Sequence, residues 1–292
     1  MFKTDISRVV LGFLRIQDIP AAEITQILNT AFDAGINTLD EADIYGNYNS
    51  QKWLGRAFKT DKTLRKKFKI ISKAGIVLKS KPNANPKIKS YNTTNKHIIE
   101  SVNQTLTDLG TDYLDILLIH RPDQLIDPYE IDNTFQQLKK DGKVLNFGVS
   151  NFTTSQVNMM RACMNTPLVT NQIEFSALHP QPLFDGTLDQ CIQKQIMPLA
   201  WSPLAGGRLF IDKDEQTVRV REMLTKIGDE LGGFNVDAIA LAWLLKHPSQ
   251  VYPIIGTMKT ERIKSAMEAL KVKMSVEQWY RILEESQGHP VP

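Results

Sequence analysis

Four side chains have the types and spacing to move a proton onto a carbonyl oxygen: Asp40, Tyr45, Lys73 and His120. They lie in NTLDEADIYG (37–46), IISKAG (70–75) and ILLIH (116–120). Asp40, Lys73 and His120 each close a short apolar run, and Tyr45 follows Asp40 by five residues. Ionisable residues are unusual at the ends of buried runs. Parallel strands laid side by side would bring all four to one mouth. A tyrosine hydroxyl titrates near ~10, too high for easy proton transfer at neutral pH. A neighbouring ammonium favours the phenolate and lowers that value, so Lys73 is expected to activate Tyr45 while Asp40 holds Lys73 charged. His120 would donate a hydrogen bond to the substrate oxygen. Tyr45 then acts as general acid in reduction and general base in oxidation. Each residue also admits a plain role: a turn cap, a loop aromatic, a snorkelling lysine, a core imidazole. Their joint placement favours chemistry.

A second set fits a planar, phosphorylated cofactor. Ser150 and Asn151 close a run in GVSNF, and Gln172 closes one in NQIEF, so together they offer the donors and acceptors a carboxamide needs. Trp201, in LAWSPLAGG, offers a flat face for stacking. Gly206 and Gly207 let backbone approach a pyrophosphate. Thr257, Lys259 and Arg262 open a helical segment in GTMKTERI, and free N–H groups beside an arginine suit a phosphate.

These residues need a scaffold of alternating strands and helices. Strand-like runs fall at 8–13, 37–40, 69–73, 115–119, 144–149, 168–173, 196–200 and 251–255. Most are rich in Val, Ile and Leu without polar alternation, as strands buried on both faces read. Helical periodicity fills the gaps. Pro20 is placed at N1 of the first helix, with Ile24, Ile27, Leu28 and Ala31 on one face and Gly35 at C′. Ile98, Ile99, Val102, Leu106 and Leu109 form a stripe ended by Gly110. Thr153 and Gln156 make a capping box. Val236, Ile239, Ala240 and Trp243 mark a seventh helix, and Ile263, Ala266, Met267 and Leu270 an eighth. Eight strand–helix pairs predict a (β/α)₈ barrel over 1–292 as one domain. An open doubly wound sheet is disfavoured because the first loop, LGFLRIQD, has no glycine-rich phosphate fingerprint. The long stretches 75–93 and 203–234 follow strand ends and fall on the catalytic face. The first is expected to be a loop, and the second to hold an extra helix. A last helix near 275–286 is expected to seal a barrel end.

Composition narrows the class. A chain of 292 residues with 42% hydrophobic and 23% charged residues is an ordinary globule. A net charge of +3 gives no ground for expecting a nucleic-acid partner. Lysines cluster between Lys59 and Lys89, as a solvated surface with a mobile loop would, with phosphate steering as the alternative. Cys163 and Cys191 have no metal or redox spacing and fit a reducing, cytoplasmic setting. No signal peptide or membrane span is expected.

Taken in order, NTLDEADIYG, IISKAG, SVNQTLTDLGTDYLDILLIHRPD, GVSNF, NQIEF, LAWSPLAGG and IIGTMKTERI resemble the aldo-keto reductase family over nearly the whole chain. The resemblance implies a nicotinamide-dependent carbonyl reductase acting on a small-molecule carbonyl substrate. It puts the catalytic tetrad on Asp40, Tyr45, Lys73 and His120, and the carboxamide contacts on Ser150, Asn151 and Gln172. The stacking aromatic falls on Trp201, and phosphate contacts on Ser202, Leu204, Thr257 and Arg262, within a cofactor-binding stretch that includes Gly256, Met258 and Lys259. Arg262 favours NADPH over NADH. Many members have a lysine at Gly256 and an acid at Arg208 that clasp over the cofactor. Neither is present, so Arg208 is expected to contact the pyrophosphate or 2′-phosphate instead. Ala266 replaces a common adenine-contacting asparagine. An N-terminal plugging hairpin and a long C-terminal loop are expected to be reduced or missing, leaving an open pocket near Ile16, Ile44, Tyr48, Trp53, Ile76, His179 and Phe184. The expected state is a monomer. Two rival readings are an NADP-binding regulatory subunit of the potassium-channel β type and a barrel aldolase using Lys73 as Schiff-base nucleophile.

Overall fold

The apolar runs form the staves of a closed parallel barrel in a computed structural model that describes residues 5–82 and 86–292. In chain order the first three strands are β1 (Val10–Gly12), β2 (Thr38–Asp40) and β3 (Lys69–Ala74). A small antiparallel pair outside the barrel follows, β4 (Ile76–Val77) and β5 (Ser90–Tyr91). The barrel resumes with β6 (Leu114–Ile119), β7 (Val144–Ser150), β8 (Leu168–Glu174), β9 (Met197–Trp201) and β10 (Tyr252–Ile255). The closed order is β1-β10-β9-β8-β7-β6-β3-β2, with every neighbouring pair parallel.

Helices clad the outside. They are α1 (Ala21–Asp33), α2 (Ser50–Thr60), α3 (Lys62–Lys67), α4 (Asn95–Leu109), α5 (Pro128–Lys140), α6 (Thr154–Cys163), α7 (Thr187–Lys194), α8 (Arg208–Ile211), α9 (Glu215–Glu230), α10 (Val236–Lys246), α11 (Thr260–Glu268) and α12 (Val276–Gln287). Pro20 is the N-cap of α1 rather than its first residue. Gly35, at φ 95°, supplies the left-handed turn after α1, and Gly110, at φ 66°, does so after α4. The Thr153–Gln156 capping box opens α6. The extra helix after β9 is α9, with the short α8 before it.

The barrel has two apolar layers. Inside are Val10, Ile71, Ile116, Leu118, Val169, Met197, Leu199 and Ile254. A larger cluster fills the space between staves and helices. The pleat explains how the interior becomes a site. Residues two apart on a strand share a face. Ile71, Leu118 and Leu199 face inward, so Lys73, His120 and Trp201 continue the same columns to the C-terminal rim. At that rim β7 carries a bulge between Phe147 and Val149. A Cβ on Gly148 would lie 2.6 Å from the Thr170 carbonyl oxygen, so only glycine fits there.

Three further expectations change. The stretch 75–93 is not all loop, because Ile76–Val77 pairs with Ser90–Tyr91. The last helix does not seal a barrel end but packs sideways on α9 and α10. There Trp279 stacks on Trp243 at 5.2 Å, and each indole N–H donates to the other residue's carbonyl at 3.0 Å. Leu270 lies beyond α11 and is exposed, outside that helix's buried stripe. The expectation of a reduced N-terminal plug falls partly on residues 1–4, which lie outside the described residues; 5–9 contain no strand. No described helix is long and apolar enough to cross a membrane.

Candidate active site

Asp40 is the last residue of β2, Lys73 the penultimate residue of β3, and His120 follows β6. Tyr45 comes in on the turn after β2. The Lys73 ammonium is fully buried and uses all three of its protons. It donates to Asp40 Oδ2 at 2.8 Å, to the Glu41 carbonyl at 2.9 Å and to Tyr45 Oη at 3.0 Å. Burial opposes its charge, but Asp40 and Tyr45 more than offset that, and its pKa is raised. A buried ammonium held this way is a fixed positive charge and a poor Schiff-base nucleophile.

The His120 ring meets the Tyr45 ring edge-on, with centroids 5.9 Å apart. Burial lowers the imidazole pKa well below its usual value, helped by the charges of Lys73, Arg121 and Lys89, so His120 is neutral at neutral pH. His120 Nδ1 is buried with no partner among the described residues. A neutral ring carries one N–H, and with that proton on Nε2 this nitrogen is the donor.

Tyr45 departs from its expected tuning. Burial pushes its hydroxyl up, and Lys73 pulls it back only in part, so the net direction is upward. Tyr45 therefore starts as a protonated donor.

The cofactor-type residues are brought together on the adjoining rim. Trp201 Nε1 donates to Asn151 Oδ1 at 2.8 Å, Asn151 Nδ2 to Ser150 Oγ at 2.7 Å, and Ser150 Oγ to the Gln172 carbonyl at 3.1 Å. Gln172 Nε2 donates to Asp40 Oδ1 at 2.7 Å, so the expected amide contact also braces the catalytic carboxylate. One N–H on each of Asn151 and Gln172 has no hydrogen bond among the described residues, which leaves donors for a carboxamide. Five of the seven non-glycine residues with positive φ among the described residues ring this mouth: Asn47, Tyr48, Asn151, Ser202 and Ala205. Such strain collects where surroundings over-determine a functional geometry.

The phosphate-type residues follow. Gly206 and Gly207 take φ 67° and 96° between Leu204 and α8. Arg208 opens α8, and its charge reaches Asp214. Lys259 is the N-cap of α11 without a side-chain cap bond, Arg262 lies exposed in the first turn, and neither forms an ion pair among the described residues. Gly256 is exposed, and a Cβ there would meet nothing within 4 Å. Thr257 Oγ1 accepts from the Lys259 N–H at 3.2 Å, and Met258 is half-buried beside them. These residues fit a dinucleotide: carboxamide partners, a stacking wall, a permissive glycine turn and a basic helix start. Of the weaker pocket expectations, Ile16 and Ile76 are buried, and Phe184 is 55% exposed. Tyr48 Oη accepts from the Leu78 N–H at 2.9 Å.

Three residues escape the sequence reading. Glu41 is completely buried; Ser50 Oγ lies 2.7 and 2.9 Å from its two oxygens, and burial pushes its pKa up to about 8. Three acids within LDEAD cannot all be solvated beside a buried strand end, and that was the available signal. Arg15 donates to the Gly206 carbonyl across the rim. The Arg121 guanidinium lies 5.6 Å from the Trp201 ring centroid. The last two carry no local pattern.

Comparison with known proteins finds relatives along the whole chain. The family model described as "Aldo/keto reductase family" matches residues 8–286. A Bacillus subtilis protein named an uncharacterized oxidoreductase, YcsN, is 43% identical over 288 residues, covering 98% of this chain and 96% of that protein. A 6-dehydroglucose reductase of Agrobacterium fabrum is 40% identical over 283 residues, covering 96% and 94%. Among solved structures, the glycerol dehydrogenase AKR11B4 of Gluconobacter oxydans superposes with TM-score 0.85 at 23% identity, covering 100% and 95%, and supports the fold alone.

Proposed function

Because the chain belongs to the aldo/keto reductase family, we propose that it reduces aldehydes or ketones to alcohols with NADPH, Tyr45 giving the proton. The observation that carries this reading is the Lys73 ammonium bonded at once to Asp40, Tyr45 and the Glu41 carbonyl.

NADPH, when bound, supplies a hydride to the carbonyl carbon. The protein's part is orientation and proton delivery. The His120 Nε2–H donates to the carbonyl oxygen and sets its position. Tyr45 Oη gives its proton to that oxygen as negative charge develops. Lys73, already bonded to Tyr45 Oη, stabilises the phenolate left behind, and Asp40 keeps Lys73 charged without moving. Gln172 ties this network to the cofactor rim, so binding and proton transfer share one rigid frame. Ser150, Asn151 and Gln172 would hold the carboxamide, and Trp201 its ring. Ser202, Leu204, Gly206 and Arg208 would hold the pyrophosphate. Gly256, Thr257, Met258, Lys259 and Arg262 would hold the adenosine end, where Lys259 and Arg262, without an ion pair among the described residues, favour NADPH over NADH.

Fluorescence titration with NADPH and with NADH tests the cofactor half of this reading. Saturable quenching at lower NADPH than NADH, lost in Trp201→Phe, is expected. No saturable quenching by either nucleotide sinks it. Tight binding with no turnover of any aldehyde would assign the regulatory-subunit role instead.

A further inference from the structure

The rim beside His120 carries cations that proton transfer leaves unused. Arg121 directly follows His120 and is half-buried, with its guanidinium carbon 5.6 Å from the Trp201 ring centroid. No carboxylate pairs with it among the described residues. The next acid in sequence, Asp123, is already engaged. Its Oδ2 accepts from Thr93 Oγ1 at 3.0 Å and its Oδ1 from the Leu125 N–H at 2.9 Å. Lys89 approaches from another element, just before β5, and also forms no ion pair among the described residues. The charges of both Arg121 and Lys89 reach the His120 imidazole. Arg121, with no ion pair among the described residues, thus sits between the Trp201 wall and the residue that orients the carbonyl.

An arginine partly withdrawn from water keeps its charge but loses hydration, and a ligand anion restores what it lost. Contact with Trp201 limits where the guanidinium can sit. Its planar fork matches the two oxygens of a carboxylate. We infer that Arg121 is a specificity residue that selects carbonyl substrates bearing a carboxylate. This rests on the reductase reading above and names the substrate class for that site.

The test compares para-carboxybenzaldehyde with its methyl ester, which share a skeleton and differ in charge. Wild type should favour the carboxylate by about tenfold or more in kcat/KM, the scale of one charge-assisted hydrogen bond. Arg121→Gln should bring the ratio to about one, and Arg121→Lys should recover part of it. The ratio is read within each protein, so a general loss of activity does not imitate the effect. Calorimetric titration with the product alcohols, para-(hydroxymethyl)benzoate and its methyl ester, reads the same preference without turnover. A wild-type ratio at or below one in both assays overturns the inference, as does a ratio that Arg121→Gln leaves unmoved. If neither aldehyde turns over while the affinity ratio still falls in Arg121→Gln, the reductase reading fails and the anion site stands.

Discussion

Replacing Glu41 with glutamine should stabilise the protein, and more so as pH rises. Glu41 is fully buried beneath Lys73, and burial raises its carboxyl from 4.5 to about 8. Below pH 4.5 the group is protonated in folded and unfolded chains alike and has no effect. Between 4.5 and about 8 the unfolded chain releases a proton that the folded chain keeps, so rising pH favours unfolding. A gap of roughly three and a half pH units, at about 1.4 kcal/mol per unit, is on the order of 5 kcal/mol by pH 8 and on the order of 3 at pH 7. Glutamine cannot ionise, and its amide can keep the bonds to Ser50 Oγ and the Ala42 N–H. Urea unfolding of both proteins near pH 5 and near pH 8 isolates the effect, because every other titrating group is common to the two. The stability difference should be small at the lower pH and several kcal/mol in favour of Glu41→Gln at the higher. A difference independent of pH, or a variant weaker at pH 8, would refute the buried neutral carboxyl.

Two glycines should be intolerant for steric reasons. A Cβ on Gly55 would lie 2.0 Å from the Asp108 carbonyl oxygen where α2 crosses α4, and neither backbone can step aside. Gly55→Ala should cost about 3 kcal/mol or more in urea unfolding. Gly148→Ala should cost a similar amount and also weaken NADPH binding, because the β7 bulge it distorts leads directly into Ser150 and Asn151.

The parts legible in the sequence are those with local causes. A buried parallel strand is a short Val/Ile/Leu run, so all eight staves could be placed to within two residues at each end. Gly110, Thr153 and Gln156 are helix-end chemistry and needed no tertiary information. Asp40, Lys73 and His120 stood out because charge is rare at a buried strand end. What escaped depends on distance in sequence. The bond from Gln172 to Asp40 spans 132 residues, and the one from Arg15 to Gly206 spans 191. The net direction of the Tyr45 pKa was misjudged because Lys73 is adjacent in pattern, whereas burial emerges only once the barrel closes. The two-residue strands β4 and β5 are too short to show alternation. The sideways docking of α12 rests on partners distant in sequence, Trp243 for Trp279 and Glu230 for Arg281, that no periodicity encodes.

The central claim is that Tyr45 delivers the proton while Lys73, Asp40 and His120 hold and tune the site. Single-turnover oxidation of NADPH by an aldehyde, in wild type and Tyr45→Phe, tests it most directly when NADPH affinity is measured alongside by fluorescence. The account predicts a rate lowered by about 10²–10⁴-fold, the usual worth of a positioned general acid, with affinity changed by no more than about twofold. A Tyr45→Phe rate close to wild type, with cofactor still bound, would contradict it.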